Sequence, residues 1–308
     1  MNGYAAAVVT VLIWAAYPVA TRAGVTGSFA PQDLMALRFG VGALLFLPYL
    51  VLQSRAIRGD AWLRGVPLTL FQGAGMAALV ICGLQFAPAN HAAALGPGVA
   101  PAWVALLGFL FFSRQPSART IVGAALCAIG VATLAAWSGS AAQPYVLTGD
   151  AMFLAASALG ALYVLQLRQW GINAIQGAAI VTIYSALFVV PWYLGSTSGA
   201  LWQAAPFELL WQVLWQGVLI GCVALVALNH AIARLGPERS IALVALVPAL
   251  SAVLGTVFLG EVPSTTEIAA ILAISAGVSI GASRGYGGSP AASNALAKRP
   301  ACGLSRPG

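Results

Sequence analysis

The sequence predicts an all-α integral membrane protein, with ten transmembrane helices arranged as two inverted five-helix repeats. Apolar residues make up 60% of the chain and charged residues only 7%, whereas soluble domains contain about 25% charged residues. One 17-residue stretch occurs twice, and five apolar runs in each half are long enough to cross a bilayer. An odd number of crossings in each half means that the second half enters the membrane from the opposite side.

The repeat is clearest in PAWVALLGFLFFSRQPS at 101–117 and PALSAVLGTVFLGEVPS at 248–264. These stretches are 147 positions apart, and eight of their 17 paired residues are identical, including two prolines and a glycine. At a similar spacing, LFQG at 70–73 matches LWQG at 214–217. Each half is therefore expected to contain the same set of elements.

The domain boundaries follow from the repeat and from composition. A first five-helix unit spans residues 1–140, and a second, inverted unit spans 141–284. From 285 to 308 the chain is rich in Gly, Ser, Pro and Ala with scattered basic residues, a composition that cannot bury a core. We expect this tail to be disordered in the cytoplasm.

Each transmembrane helix needs about 20 mainly apolar residues. The predicted spans are 4–21, 31–52, 64–86, 91–112, 118–137, 148–167, 174–195, 208–232, 239–259 and 265–283. No Lys or Arg precedes Arg22, so the first span lacks the basic region of a secretory signal. We expect it to be retained.

Basic residues predict the orientation, because Lys and Arg are enriched in cytoplasmic loops. With a cytoplasmic N-terminus, 12 of the 14 Lys and Arg residues fall on the cytoplasmic side, leaving only Arg22 and Arg38 outside. The opposite orientation would place those 12 residues outside. Both termini are therefore predicted to be cytoplasmic.

Few polar groups lie inside the spans, and each must find a partner or a function there. Gln72 and Gln216 are repeat equivalents near mid-depth, where they either form hydrogen bonds between helices or line a central path. Arg38 lies about 10 Å inside the second span at 1.5 Å per residue. It either extends to the outer headgroups or faces a cavity and an anionic group there.

Titratable groups are placed mainly at span ends. No Asp or Glu lies near the middle of a span, and no paired carboxylates or metal-spaced histidines are recognisable, so neither an enzyme nor a metal site is indicated. His91, His230 and the adjacent Asn229 are accessory polar candidates. We favour hydrogen-bonded interfacial histidines over ligands or proton carriers. No cofactor and no nucleic-acid partner are expected.

Helix breakers occur at corresponding places in the two halves: Pro97, Gly98 and Pro101 in the fourth span, and Pro248 in the ninth. Proline removes a backbone donor and kinks a helix, and the freed carbonyls are tolerated at membrane depth where they line a cavity. Matching interruptions indicate a transporter's binding and gating region. A kink that serves packing alone is the alternative.

Deep aromatic side chains complete the candidate site. Trp14, Tyr17, Trp103 and Tyr163 lie in spans 1, 4 and 6, and each has a polar group that needs a partner. Core packing and ligand contact explain any single one of them equally well. Together with the two glutamines, they are our predicted substrate-binding residues, at a cavity between the repeats.

The pattern resembles the EamA-type carriers of the drug/metabolite transporter superfamily, and within it the YddG-like amino-acid exporters. Besides the ten spans in two inverted halves, the resemblance rests on Trp14, Arg38-Phe39, Pro101, Pro248 and Gly260-Glu261, and it covers about residues 4 to 284. The first half departs from the family pattern, with Ser113-Arg114 where many relatives have Gly-Glu.

The resemblance implies a multi-pass transporter of the bacterial inner membrane that exports small metabolites by alternating access. Amino acids, including aromatic or other apolar ones, are the favoured substrates. Expected partners are this small-molecule substrate and membrane lipids, with a monomer as one option. Export of another metabolite or a drug is the main alternative, and a membrane enzyme or scaffold is a weaker one. The lack of an ionisable group at mid-depth favours facilitated transport over obligatory proton exchange.

Overall fold

The computed structural model describes residues 2–282, apart from 54–58, 114, 139–144, 171, 173, 197–200, 202 and 236–242. Within these residues all regular secondary structure is helical. The tail at 285–308, which we predicted to be disordered, lies outside the described residues.

The helices form ten apolar segments, which we number spans 1 to 10 in chain order. Eight are long and apolar enough to cross a bilayer, and the last two are shorter apolar helices. Their bounds are Gly3–Thr26, Pro31–Gln53, Gly59–Gln72 with Ala74–Phe86, Ala89–Leu95 with Ala100–Phe112, Ala118–Ser138, Val146–Trp170, Ala174–Ser196, Pro206–Gln212 with Val213–Val223 and Ala224–Leu235, Val247–Leu259, and Thr265–Ala282. These bounds lie close to the predicted ones, and the predicted fold class is confirmed.

Span 4 is interrupted where the sequence predicted a break. Its first helix ends at Leu95, a turn containing Pro97 and Gly98 follows, and the second helix begins at Ala100. Pro101 therefore lies in the first turn of the second helix, where a missing N–H costs nothing because that group has no partner within the helix. The prolines thus end one helix and begin another within a single membrane crossing.

Span 9 has the same construction. A turn at 245–246 precedes the helix Val247–Leu259, and Pro248 lies in its first turn. The helices that follow the two breaks also end alike: Ser113 and Gly260, which are repeat equivalents, have left-handed backbones with φ of 52° and 69°. The repeat is therefore visible in helix starts and ends as well as in the sequence.

Spans 3 and 8 are irregular at the LFQG and LWQG motifs, where no irregularity was predicted. Span 3 stops at Gln72 and restarts at Ala74, after a bend at Gly73. Span 8 widens into a π-helix over Val213–Val223, which contains Gln216. π-helices are rare, and those that interrupt α-helices are frequently found at functional sites. Four spans are thus irregular, in two repeat-related pairs.

Spans 5 and 10 are repeat equivalents that pack against each other antiparallel. A Cβ added to Gly277 would lie 2.6 Å from the carbonyl oxygen of Gly123, and one added to Gly130 would lie 2.8 Å from that of Ala270. Residues late in span 5 therefore meet residues early in span 10. Two equivalent helices that run in opposite directions are the signature of an inverted repeat, and their close backbone approach is typical of membrane helix interfaces.

The first helix of each half lies against the other half. Span 1 packs against spans 8 and 9, and its equivalent, span 6, packs against spans 3 and 4. All four irregular spans thus border span 1 or span 6. This arrangement concentrates irregular backbone at the boundary between the halves.

Candidate functional site

Tyr17 and Gln216 are brought together by the packing of span 1 against span 8. Gln216 is fully buried, and its Nε2 donates to Thr21 Oγ1 at 2.9 Å and to Gln212 Oε1 at 3.3 Å. Thr21 Oγ1 in turn donates to the carbonyl oxygen of Tyr17 at 2.8 Å. Gln216 Oε1 is buried and has no hydrogen-bond partner among the residues that the structure describes, so this site keeps an open acceptor.

The polar groups of Tyr17, Thr21, Gln212 and Gln216 form what we call the polar strip. Arg38 of span 2 adjoins it. Its Nη1 donates to the hydroxyl oxygen of Tyr17 at 2.6 Å, and its guanidinium lies over the rings of Tyr17 and Phe39, 5.4 and 5.8 Å from their centroids. Arg38 thus reaches Tyr17 of span 1 and makes cation–π contacts both with Tyr17 and with its chain neighbour Phe39.

Tyr163 and Gln72 form the repeat-related pair on the other side. Tyr163 is buried among Leu68 of span 3 and Val181 of span 7. One turn earlier in span 6, a Cβ added to Gly160 would lie 3.5 Å from Gln72 Oε1. By repeat equivalence these candidates form two Tyr/Gln pairs, each with the tyrosine of one half and the glutamine of the other. Hydrogen bonds through Thr21 link Tyr17 to Gln216, and span 6 packs against span 3, which carries Gln72.

The two deep tryptophans lie along spans 1 and 4. Trp14 is half-buried among residues of spans 1, 4 and 9, including Ala93 and Val247. Trp103 is half-buried in the second helix of span 4 and packs against the largest core cluster. Its indole Nε1 is enclosed, and no described residue accepts a hydrogen bond from it. Trp103 thus offers an unused donor and Gln216 an unused acceptor.

A backbone group at the break in span 3 is hydrogen-bonded to a residue of the other half. The N–H of Ala74, freed by the bend at Gly73, donates to the Oγ of Ser185 in span 7 at 3.1 Å. In the repeat-related place, Gly217 faces Val41 of span 2, and a Cβ there would lie 2.4 Å from Val41 Cγ1. Both motif glycines therefore permit close approach of a helix from the other half.

A cavity of about 280 Å³ opens between the end of span 1 and the start of span 8. Its lining consists of Ala23, Gly24, Gly27, Ser28, Phe29, Phe207, Glu208, Trp211 and Gln212. Gln212 links this cavity to the interior, because its Nε2 donates to the Ala20 carbonyl at 2.8 Å and its Oε1 accepts from Gln216. The polar strip around Tyr17 thus begins at a cavity wall.

Arg22 and Glu261 join the ends of spans 1 and 9 that are predicted to be outermost. The Nε of Arg22 donates to a carboxylate oxygen of Glu261. The Nη1 of Arg22 donates to the carbonyl oxygens of Leu84 and Ala87 at 2.6 and 2.7 Å. Glu261 Oε2 also accepts from the N–H of Ala89 at 2.9 Å. One ion pair thereby fixes the ends of spans 1, 3, 4 and 9.

His91 lies near the start of span 4, at its predicted outer end, and it is enclosed by protein. It is fully buried, with Nδ1 2.7 Å from Asp150 Oδ1 and Nε2 2.9 Å from Glu267 Oε1. Asp150 and Glu267, which the sequence placed at span ends, are themselves only 3% exposed. This cluster could not be predicted from the sequence, because its members are distant in the chain and a position near a helix end gives no sign of burial.

The remaining accessory candidates lie in span 8. His230 is half-buried in the helix Ala224–Leu235. Asn229 precedes it in the same helix, and its side chain lies outside the described part of the chain. Pro97, Gly98, Pro101 and Pro248 lie at the helix breaks described above. Among the described residues, no group of three or more His, Cys, Asp or Glu is arranged to hold a metal ion.

Comparison with known proteins gives a family match over both halves. The profile described as the EamA-like transporter family matches residues 1–136 and again 147–281. A solved crystal structure aligns with a TM-score of 0.60, covering 91% of this chain and 96% of that chain at 19% sequence identity. At that identity the likeness shows the fold alone.

Two relatives are similar over most of their length. A probable terminal-alkyne amino-acid exporter of Streptantibioticus cattleyicolor is 29% identical over 270 residues, which are 84% of this chain and 86% of that protein. The threonine/homoserine exporter RhtA of Escherichia coli K12 is 31% identical over 254 residues, which are 78% of this chain and 77% of RhtA. Both proteins are described as amino-acid exporters.

Proposed function

This chain belongs to the EamA-like transporter family, and we propose that it exports neutral amino acids, apolar ones included, across the bacterial inner membrane. It is a multi-pass membrane transporter, not an enzyme. The observation that supports the substrate class best is the similarity, over more than three quarters of the chain, to two relatives that are both described as amino-acid exporters.

The chemistry between the halves suits a zwitterion. An amino acid brings ammonium donors and carboxylate acceptors, and the buried groups without a described partner include an acceptor, Gln216 Oε1, and a donor, Trp103 Nε1. Arg38 adds a cation beside Tyr17. Trp14 and Tyr163 add aromatic area for an apolar side chain. In this proposal the two Tyr/Gln pairs border the substrate path, one from each half.

Transport would follow from movement of one half against the other. The breaks in spans 3 and 4 and the irregular segments in spans 8 and 9 give flexible points at the boundary, as expected for alternating access in inverted-repeat transporters. For release outside, the contacts that join the predicted outer ends, including Arg22 with Glu261, would have to separate. Pro97, Gly98, Pro101 and Pro248 are the proposed gating positions.

The proposal includes both termini in the cytoplasm, which the distribution of basic residues supports. Single cysteines at position 142 and at position 58, in a background without other cysteines, test it with an impermeant thiol reagent added to intact cells. We expect labelling at 142 only. Labelling at 58 with none at 142 would reverse the orientation.

The substrate proposal is tested first in cells. Cells that overproduce the protein are expected to tolerate higher concentrations of toxic neutral amino-acid analogues than cells carrying the empty vector. A Gln72→Leu, Gln216→Leu variant produced at the same level is the matched control. Equal sensitivity of all three strains to every analogue would favour export of a different metabolite or a drug.

A further inference from the structure

The cluster around His91 joins four spans at their predicted outer ends. His91 belongs to span 4, Asp150 to span 6 and Glu267 to span 10, and Ser138 of span 5 donates its hydroxyl to Asp150 Oδ2 at 2.6 Å. The Trp137 ring lies 5.6 Å from the His91 ring, centroid to centroid. No step of the proposed export uses this cluster.

The hydrogen bonds of His91 indicate how many protons the cluster must hold. A neutral imidazole has one N–H donor and one acceptor nitrogen, and an ionised carboxylate only accepts. Both ring nitrogens lie within hydrogen-bond distance of a carboxylate oxygen, at 2.7 and 2.9 Å. The second bond therefore requires one further proton, either on His91 or on a carboxyl group. Without it, two buried carboxylates would also leave two negative charges that no cation among the described residues offsets.

The charged neighbours among the described residues do not supply a positive charge to offset the two carboxylates. From spans 1 and 9, Arg22 and Glu261 pair with each other, and Glu261 accepts from the N–H of Ala89, two residues before His91. From span 4 itself, Asn90 donates to Glu267 Oε1 at 3.3 Å but is neutral. Span 5 contributes the neutral Ser138 and Trp137. The charge balance of the cluster therefore depends on the proton.

We propose that His91, Asp150 and Glu267 form a buried proton-binding site, and that the bound proton fastens the predicted outer ends of spans 4, 6 and 10 to one another. The ligand is a single proton, taken from the outer aqueous side. Loss of that proton leaves one hydrogen bond unmade and adds a negative charge, so the three helices separate more easily. The site modulates opening and does not provide the driving force for transport.

Glu267→Gln gives a sharp test. Its amide NH₂ can donate to the acceptor nitrogen of a neutral His91, while its carbonyl oxygen accepts from the N–H of Ser264, as Glu267 Oε2 does at 2.8 Å. The hydrogen bonds of His91 are thus kept without the extra proton. Glu261→Gln is the matched control, since Glu261 is also a carboxylate at a predicted outer helix end but does not contact His91.

The full-length protein in detergent is unfolded by heat or denaturant at pH values from 6 to 10, with no substrate present. A site that binds one proton more in the folded state than in the unfolded state loses stability as pH rises. For the wild type and Glu261→Gln, we expect the ratio of folded to unfolded protein to fall by up to tenfold per pH unit within the titration range. Glu267→Gln should lack that decrease.

A second readout observes the proton itself. The chain has two histidines, so ¹⁵N-histidine labelling together with His230→Gln assigns the ring nitrogens of His91. We expect its protonation to change over the same pH range as the wild-type stability, and to differ in Glu267→Gln. Equal pH dependence of stability in wild type and Glu267→Gln would overturn the proposal. Neither readout involves an amino acid, so failure here is separate from failure of the export assays.

Discussion

Replacing Gly277 by alanine should destabilise the contact between spans 5 and 10 on which the inverted packing depends. The added Cβ would lie 2.6 Å from the carbonyl oxygen of Gly123 and 2.8 Å from Cys127 Sγ, against about 3.5 Å for an unstrained contact. The nearest atom is backbone, so no side chain can rotate away, and the helices must separate by about 0.9 Å. Overpacking of this kind costs about 1 to 3 kcal/mol.

The assay is thermal unfolding of the purified protein in detergent, followed by loss of the folded peak in size-exclusion chromatography. Gly281→Ala is the matched control, because it makes the same change in the same helix. Its Cβ would meet only Gly123 Cα, at 3.8 Å, which is an ordinary contact. We expect Gly277→Ala to lower the unfolding temperature clearly and Gly281→Ala to leave it nearly unchanged. Equal unfolding temperatures for both variants would refute the antiparallel packing of these two helices.

Two further predictions concern the irregular spans. Ser185→Ala should cost about 1 to 3 kcal/mol of stability, because the Ala74 N–H at the span 3 break loses its acceptor. Ser279→Ala, at an exposed serine, is the control and should cost little. Equal unfolding temperatures for the two variants would contradict this prediction. A Gln72→Leu, Gln216→Leu double variant should stay folded but lose at least tenfold in transport rate, measured in liposomes. The control is Gln169→Leu, at an exposed glutamine in the last turn of span 6. Full transport by the double variant would remove both amides from the substrate path.

Much of the fold could be predicted because it is recorded locally in the chain. Apolar runs long enough to cross a bilayer gave the ten spans, and the match between 101–117 and 248–264 gave the repeat. The span 4 break could be predicted from Pro97 and Gly98, because these residues interrupt a helix whichever residues pack around them. These signals need no knowledge of which helices are neighbours.

The parts that were missed depend on neighbours. The bend at Gly73 forms where Ser185, more than 100 residues away, accepts the freed N–H. His91 is buried because Asp150 and Glu267 converge on it from two other spans. Arg38 of span 2 donates to the hydroxyl oxygen of Tyr17 on span 1. In each case the partner comes from another span. The environment of the residue therefore depends on helix packing and cannot be predicted from the local sequence.

The most direct test of amino-acid export is exchange in liposomes that contain only the purified protein. Vesicles loaded with an unlabelled neutral amino acid are placed in a trace of the same amino acid in labelled form, with threonine, homoserine, a terminal-alkyne amino acid and phenylalanine tested in turn. Export of amino acids by this chain predicts rapid accumulation of label for at least one of them. It also predicts that accumulation disappears without protein and slows at least tenfold in the Gln72→Leu, Gln216→Leu variant. No accumulation above protein-free vesicles for any neutral amino acid would contradict it.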